Sequence, residues 1–159
     1  MVTGIRLLVA VVVAFGGFTF KYTAPMTLDD CAAVCGISVE EFTLISSVVE
    51  AESNRQAPAE GEDTTEGRVY IALTILNRVN DDRFPDTITG VLTQRGQFST
   101  VRNGRSVTDR TSWSDQAVID AYEWIATGDY PEVYFFNCRG YFSSRTAVGE
   151  FGGNYFSGF

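Results

Sequence analysis

The segment from Leu44 to Asn54 constrains the fold most strongly, because it is a mostly apolar run with helical spacing that ends in a carboxylate. At about 100° per residue, Ile45 and Val48 fall on the same side of this helix as Glu52, whereas Glu50 points well away. A carboxyl group held against apolar neighbours is hard to ionise. The position of Glu52 therefore favours a raised pKa and a role as a general acid near neutral pH. The alternative is that the helix end meets solvent there and Glu52 is an ordinary surface acid.

Capping residues and apolar spacing predict a mainly helical chain around this segment. Each predicted helix begins at an oxygen-bearing side chain and carries an apolar stripe. The predicted bounds are Thr27 to Cys35, about Val39 to Ser53, about Glu66 to Val79, a short helix to about Thr93, and a last helix to about Thr127. The predicted caps are Thr27, Ser38 in a capping box with Glu41, Thr64 or Thr65, Asp86, and Ser112 or Ser114, with Gly36 and Gly128 ending the first and last helices.

Extended segments are few and short. Asn103-Gly104 is a strong signal for a hairpin between residues 97–102 and 105–108. Two further extended segments are predicted at Tyr134–Cys138 and Gly152–Phe156. The order of elements predicts an α+β domain, mainly α, with a small antiparallel β-element, spanning residues 25–159.

Residues 1–24 have the composition of a targeting segment. Arg6 precedes an apolar run from Leu7 to Phe20, which is short for a membrane span and the right size for the apolar region of a signal peptide. We expect export to the periplasm or cell wall, either as a cleaved signal peptide or with residues 5–20 as an uncleaved membrane anchor. The alternative is a buried N-terminal helix of the domain.

Charge and composition exclude several function classes. The net charge of −8 argues against a nucleic-acid partner, which needs a basic face. The chain has no histidine, which excludes Ser-His-Asp and Cys-His catalysis and most zinc-hydrolase sites. Carboxylates remain as acid–base groups, and we expect neither a metal nor a cofactor. Aromatic residues make up 13% of the chain and suit a groove that stacks on sugars, although most of them are expected in the core of a monomer.

The three cysteines form an odd set. Cys31 and Cys35 are adjacent on one helix face, and Cys138 is far along the chain. No second ligand pair accompanies them, so a zinc site is not predicted. We expect burial as small apolar residues, with a Cys31–Cys35 disulfide as the alternative in an exported domain.

Several short motifs, taken in order, resemble the SleB/CwlJ cell wall hydrolase family of spore cortex-lytic enzymes, over about residues 44–156. They are Val49-Glu-Ala-Glu-Ser53, the helix from Gly67 to Asn77-Arg78-Val79, Phe84-Pro85-x-Thr87-Ile88, Gln97-Phe98, the helix before Gly128, Phe135-Phe136-Asn137, and Gly152 to Phe156. The resemblance implies a helical domain like those of lysozymes and transglycosylases, with Glu52 as the catalytic glutamate.

The resemblance also implies cleavage of the MurNAc–GlcNAc β-1,4 bond of peptidoglycan. Glu52 would protonate the glycosidic oxygen and later accept a proton as a carboxylate. The family favours the outcome of a lytic transglycosylase, in which the 6-hydroxyl of muramic acid attacks and no second carboxylate is needed. For a hydrolase, the candidates for a second carboxylate are Glu66, Asp63 and Glu50, each of which is otherwise a cap or a surface acid.

Polar and aromatic residues in these motifs are candidates for binding the glycan. We expect Gln97 and Asn137 to form hydrogen bonds with sugar hydroxyl or N-acetyl groups, with local capping as the alternative. Phe98 and Tyr134 are candidates for stacking on sugar rings, although core packing is favoured for Phe98. Arg78 and its neighbour Asn77 are expected to fix the loop after their helix.

Asn154 marks the clearest departure from the family. The family ends in Gly-x-His-x-Phe, and Asn154 stands where the histidine would be. Asn154 is predicted to bind substrate if a hydrogen bond is all that the position requires. If the histidine assists catalysis, the alternative is a non-catalytic module that binds the cell wall. A third hypothesis is a phage endolysin with a signal anchor, which would have the same chemistry.

Overall fold

Helices make up most of the domain. The protein is described by a computed structural model over residues 8–15, 18–53, 65–102, 105–106 and 109–159. The helices are α1 Leu28–Cys35, α2 Val39–Ser53, α3 Thr65–Val79, α4 Ile88–Thr93 and α5 Ser112–Thr127. The strands are β1 Leu8–Phe15, β2 Phe18–Pro25, β3 Val101–Arg102, β4 Arg105–Ser106, β5 Phe135–Asn137, β6 Thr146–Phe151 and β7 Asn154–Gly158. The predicted α+β class, mainly α with a small antiparallel sheet, is confirmed.

Helix α2 is the central element of the core. It packs against α1, α3 and α5, and every residue from Ile45 to Ser53 is buried. Phe42 at its start and Ile71 on α3 are also fully buried. Because each such side chain contributes about 1.5–3 kcal/mol when it leaves water, this packing fixes the position of the C-terminal end of α2.

The helix boundaries follow capping chemistry. The predicted cap at Thr27 and the predicted end at Gly36, which has a φ of 68°, are confirmed. The prediction of Asp86 as the cap of α4 is wrong, because the side chain of Thr87 accepts the N–H of Gly90 at 3.1 Å. The cap of α5 is likewise Thr111, not Ser112 or Ser114.

The three-stranded antiparallel sheet has the order β5-β7-β6, so β7 is the central strand. Gly152 and Gly153 join β6 to β7, and both have positive φ, 55° and 74°, as a tight hairpin turn requires. The sequence did not predict β6, whose residues do not alternate in exposure and whose register shifts between Ala147 and Gly149.

The β6–β7 turn rests directly on the first turn of α3. A methyl group placed on Gly67 would lie 2.9 Å from Gly152 Cα and 2.9 Å from the Phe151 carbonyl oxygen. Glycine at position 67 therefore allows a close contact between two backbones. This contact sets the position of the strand that begins with Asn154.

The predicted hairpin around residue 103 is present but short, since β3 and β4 have two residues each. Its turn, Asn103-Gly104, and the acidic loop at residues 54–64 lie outside the described residues. Near the N-terminus, β1 and β2 pair antiparallel, so the alternative of an N-terminal helix is wrong. In the described segments, no single helix is long and apolar enough to cross a membrane; α1 and α2 pass that test of length and composition only together, with a 95° bend between them.

Candidate functional site

A pocket lies where the C-terminal ends of α2 and α3 meet the loop before β3 and the strands β5 and β7. It contains about 510 Å³ of empty space, including its open mouth. It brings together residues that are far apart in sequence. The lining residues are Glu52, Arg78, Gln97, Phe98, Phe136, Asn137, Cys138 and Asn154.

Glu52 is the carboxylate of this pocket. It lies in the last turn of α2 and is 3% exposed, in line with its predicted place on the buried stripe. The hydroxyl of Thr100 donates a hydrogen bond of 2.9 Å to Glu52 Oε1. Because Thr100 is itself buried, this bond holds the carboxyl group in one orientation toward the pocket.

Glu50, two residues earlier, is held on another side of α2. The helical pattern predicts that it points away from the buried stripe, yet it is only 5% exposed. Arg68 contacts it with Nε and Nη2, both at 3.3 Å, and the Thr111 hydroxyl donates a hydrogen bond of 2.7 Å. Glu50 is therefore not a surface acid. It is a buried anion that joins α2 to α3 and α5 and does not line the pocket.

The three amide side chains predicted to bind the glycan all line the pocket. Gln97 is exposed at its rim, and Asn154 is 6% exposed at the start of β7. Asn137 also caps the local backbone, which was the predicted alternative: its Oδ1 accepts a hydrogen bond from the N–H of Arg139 at 3.0 Å. Its NH₂ group remains the part suited to a sugar oxygen.

The two predicted stacking residues lie in different places. Phe98 is buried in the lining, and its ring centroid is 6.2 Å from that of Phe136. Tyr134 lies outside the lining and is parallel to the ring of Phe84, with centroids 6.0 Å apart. Desolvation raises the pKa of the Tyr134 phenol, which keeps that group neutral.

Arg78, Phe136 and Cys138 line the pocket although the sequence analysis did not place them there, and Arg78 is the cation among them. Its Nε donates a hydrogen bond of 2.7 Å to the Tyr134 carbonyl oxygen, which fits the predicted structural role. Its side chain also lines the pocket and is 3% exposed. Burial lowers the pKa of Arg78 to about 10, so the guanidinium remains a cation at neutral pH. The signal in the sequence is an arginine inside the apolar end of a core helix.

The cysteines are thiols. Cys31 and Cys35 are buried and unbridged, and desolvation raises the pKa of Cys35 to about 12. Cys138, half-buried, lines the pocket. Across the described ranges, no group of three or more cysteine, aspartate or glutamate side chains lies close enough to hold a metal ion.

Within the described residues, no other acid considered as the second carboxylate of a hydrolase lines the pocket. Glu66 is exposed in the first turn of α3 and is not a lining residue. Asp63 lies outside the described residues. Glu52 is accordingly the only carboxylate among the described residues that line the pocket.

Comparisons of the sequence point to one family. A family model described as Cell Wall Hydrolase matches residues 62–157, which include every lining residue except Glu52. A spore cortex-lytic enzyme of Oceanobacillus iheyensis is 34% identical over 103 residues, covering 64% of this chain and 34% of that enzyme. The one of Halalkalibacterium halodurans is 29% identical over 147 residues, covering 84% and 41%. The chain thus spans between about a third and two fifths of the length of these relatives.

Solved structures show the same fold. The catalytic domain of the Bacillus cereus SleB protein matches with a TM-score of 0.57 at 24% identity, covering 76% of this chain and 91% of that domain. The catalytic domain of the germination-specific lytic transglycosylase SleB from Bacillus anthracis matches with a TM-score of 0.57 at 25% identity, covering 77% and 97%. The fold of this chain is therefore that of a known catalytic domain.

Proposed function

Because the chain belongs to the cell wall hydrolase family, we propose that it cleaves the glycan strands of peptidoglycan at the MurNAc–GlcNAc β-1,4 bond, with Glu52 as the acid. The observation that carries this proposal is the buried Glu52 carboxyl group, oriented by Thr100 in a pocket lined with amide side chains. A carboxyl group in such surroundings suits proton donation to a glycosidic oxygen. Gln97, Asn137 and Asn154 would accept and donate hydrogen bonds to the sugars.

The proposed reaction is that of a lytic transglycosylase. The carboxyl group of Glu52 donates its proton to the glycosidic oxygen as the bond from C1 of MurNAc breaks, and GlcNAc leaves with a free 4-hydroxyl group. The 6-hydroxyl group of the same MurNAc then attacks C1 and returns its proton to the Glu52 carboxylate. The product is a 1,6-anhydro ring, and no water is consumed.

Three observations support this outcome over hydrolysis. Glu52 is the only carboxylate in the described part of the pocket lining, and hydrolysis by either common route uses a second one. Glu50 is buried nearby in sequence, but Arg68 and Thr111 bind it on another side of α2. A relative of the same fold carries the name lytic transglycosylase.

We further propose that the protein acts outside the cytoplasm, where peptidoglycan is found. This agrees with the expectation that residues 1–24 direct export. Localising a fusion of the full chain to alkaline phosphatase, which is active only after export, tests this part separately from the chemistry. Deleting residues 1–24 should abolish the phosphatase activity.

The test of the chemistry is mass spectrometry of the fragments released from purified peptidoglycan. Wild type is compared with Glu52→Gln, which preserves the side-chain shape, and with Glu66→Gln as a control at an exposed acid outside the pocket. We expect anhydromuramic ends from wild type and the control and none from Glu52→Gln. Circular dichroism confirms that each variant is folded.

Each other result has a defined meaning. Reducing ends in place of anhydro ends would make the protein a hydrolase with a second carboxylate. Activity in Glu52→Gln, lost in Glu50→Gln with the fold retained, would transfer the role of the acid to Glu50. Release of nothing by a folded wild-type protein that sediments with the wall would identify a binding module, with Asn154 as the first residue to replace.

A further inference from the structure

Several N–H donors of Arg78 form no hydrogen bond within the described residues. A guanidinium has five N–H donors, and the single hydrogen bond of Arg78 within the described residues is the one from Nε to the Tyr134 carbonyl oxygen. Its Nη1 is buried and has no acceptor there. Buried polar groups are nearly always paired, because an unpaired one costs about 1–3 kcal/mol.

Arg78 also has no anionic partner among the described residues. Two other buried or half-buried arginines each pair with a carboxylate: Arg68 pairs with Glu50 and Arg110 pairs with Asp115. Glu52 lines the same pocket, but it forms no ion pair with Arg78. A buried cation without a counter-charge destabilises the folded protein. A purely structural role explains the hydrogen bond of Nε, but it does not explain why the rest of the guanidinium is buried.

Three aromatic rings surround the guanidinium. Its central carbon lies 5.1 Å from the ring centroid of Phe84, 5.5 Å from that of Phe98 and 5.4 Å from that of Phe135. The rings keep water away from much of the group and attract its positive charge. The low dielectric of this setting strengthens any bond formed with an incoming oxygen.

We infer that Arg78 is a specificity-determining residue that binds the oxygen atoms of the lactyl group of muramic acid, an inference that rests on the proposed function. Both sugars of the glycan carry N-acetyl groups, which neutral amides can bind, but only muramic acid carries a lactyl group. That group ends in a carboxylate when no stem peptide is attached, and in an amide carbonyl otherwise. A fork of N–H donors matches either, and the carboxylate best.

The geometry of the sugar agrees with this assignment. The bond to be cleaved is at C1 of muramic acid, and the lactyl group is at C3 of the same ring. Glu52 and Arg78 would then contact one sugar, with the Glu52 carboxyl group at the glycosidic oxygen and the Arg78 guanidinium at the lactyl group. This contact would favour muramyl glycans over glycans built from GlcNAc alone.

Binding measured by calorimetry tests the inference without turnover. The full chain carrying Glu52→Gln is titrated with a peptide-free GlcNAc–MurNAc tetrasaccharide and with chitotetraose, which lacks the lactyl group. We expect the muramyl glycan to bind at least about tenfold more tightly, as one charge-assisted pair implies. Adding Arg78→Met should abolish the difference, and Arg78→Lys should restore only part of it.

Arg83→Met is the matched control, because Arg83 pairs with Asp81 at 2.5 Å outside the pocket lining and should preserve the difference. Equal binding of the two glycans by Glu52→Gln alone would overturn the inference, whatever happens to the Arg78 variants. An equal loss for both glycans in Arg78→Met would overturn it as well. An Arg78-dependent difference in a protein whose wild type releases no fragments would refute the proposed function and leave the inference standing.

Discussion

Replacing Gly67 with alanine tests whether the contact between α3 and the β6–β7 turn holds the sheet in place. Gly67 lies in the first turn of α3, and its backbone is helical, so alanine brings no strain of its own there. The added methyl group would lie 2.9 Å from Gly152 Cα, whereas ordinary contacts are at 3.4–4 Å. The atoms it meets belong to the backbone and cannot rotate away.

Two opposing effects decide the size of the change. Alanine has a higher helix propensity than glycine, which stabilises the fold by about 1 kcal/mol. Overpacking costs roughly 1–3 kcal/mol, and we expect the upper end because the three nearest atoms all belong to the backbone of the β6–β7 turn. We therefore expect Gly67→Ala to lower the free energy of unfolding by about 1–2 kcal/mol, which corresponds to a fall in Tm of about 3–8 °C.

Thermal unfolding followed by circular dichroism at 222 nm measures this change. Glu66→Ala is the matched control, because it adds alanine at the neighbouring exposed position and should change the unfolding free energy by less than about 0.5 kcal/mol. A shift of the turn would also displace Asn154, so glycan binding should weaken in Gly67→Ala even well below its Tm. A Tm equal to or above that of wild type would refute the contact and the position of β7 derived from it.

Three further predictions concern polar groups around α2. Thr100→Val removes the hydrogen bond to Glu52 at nearly constant side-chain volume. The initial rate of fragment release should fall about tenfold to a hundredfold, and an unchanged rate would contradict the orienting role of Thr100. Arg68→Met removes the cation that pairs with Glu50 at 3.3 Å and should destabilise the fold by about 3 kcal/mol in urea titration. Adding Glu50→Gln should recover part of this loss. No recovery would mean that Arg68 acts through packing. Desolvation raises the pKa of Asp115 above its unfolded value, so its contribution to stability is full below about pH 3.9 and declines as pH rises through the folded pKa. The difference in unfolding free energy between wild type and Asp115→Asn should decline over the same range, and a difference that grows with pH would contradict the sign.

Local chemistry made the helices predictable. The caps at Thr27 and Ser38 and the glycines that end α1 and α5 depend on interactions within four residues, which the sequence contains. Errors of one to three positions arose where several hydroxyl or carboxyl side chains stand together, as at Asp86 and Thr87. There the backbone conformation selects the cap, and that conformation depends on the rest of the fold.

Long-range packing accounts for what the sequence did not predict. A helical pattern assigns one buried face, but α2 is enclosed by three helices, so Glu50 is buried as well as Glu52. Arg78 reaches the pocket because β5 and the loop before β3 close over the end of α3, a contact between segments about twenty and sixty residues apart. Strand β6 was missed because its partner and its register shift are set by β7.

The polar contacts between α2 and α5 determine the rotational state of α2. Nine consecutive residues of α2 are buried, so apolar packing alone would allow several rotations of the helix about its axis. Only one rotation places Ser46 Oγ 2.7 Å from Asp115 Oδ1 and Glu50 within hydrogen-bond distance of Thr111. Turning the helix by one residue, about 100°, would leave these buried groups unpaired at about 1–3 kcal/mol each. Contacts of Ser46 and Glu50, neither of which lines the pocket, thus decide that Glu52, and not a neighbour such as Ala51, faces it.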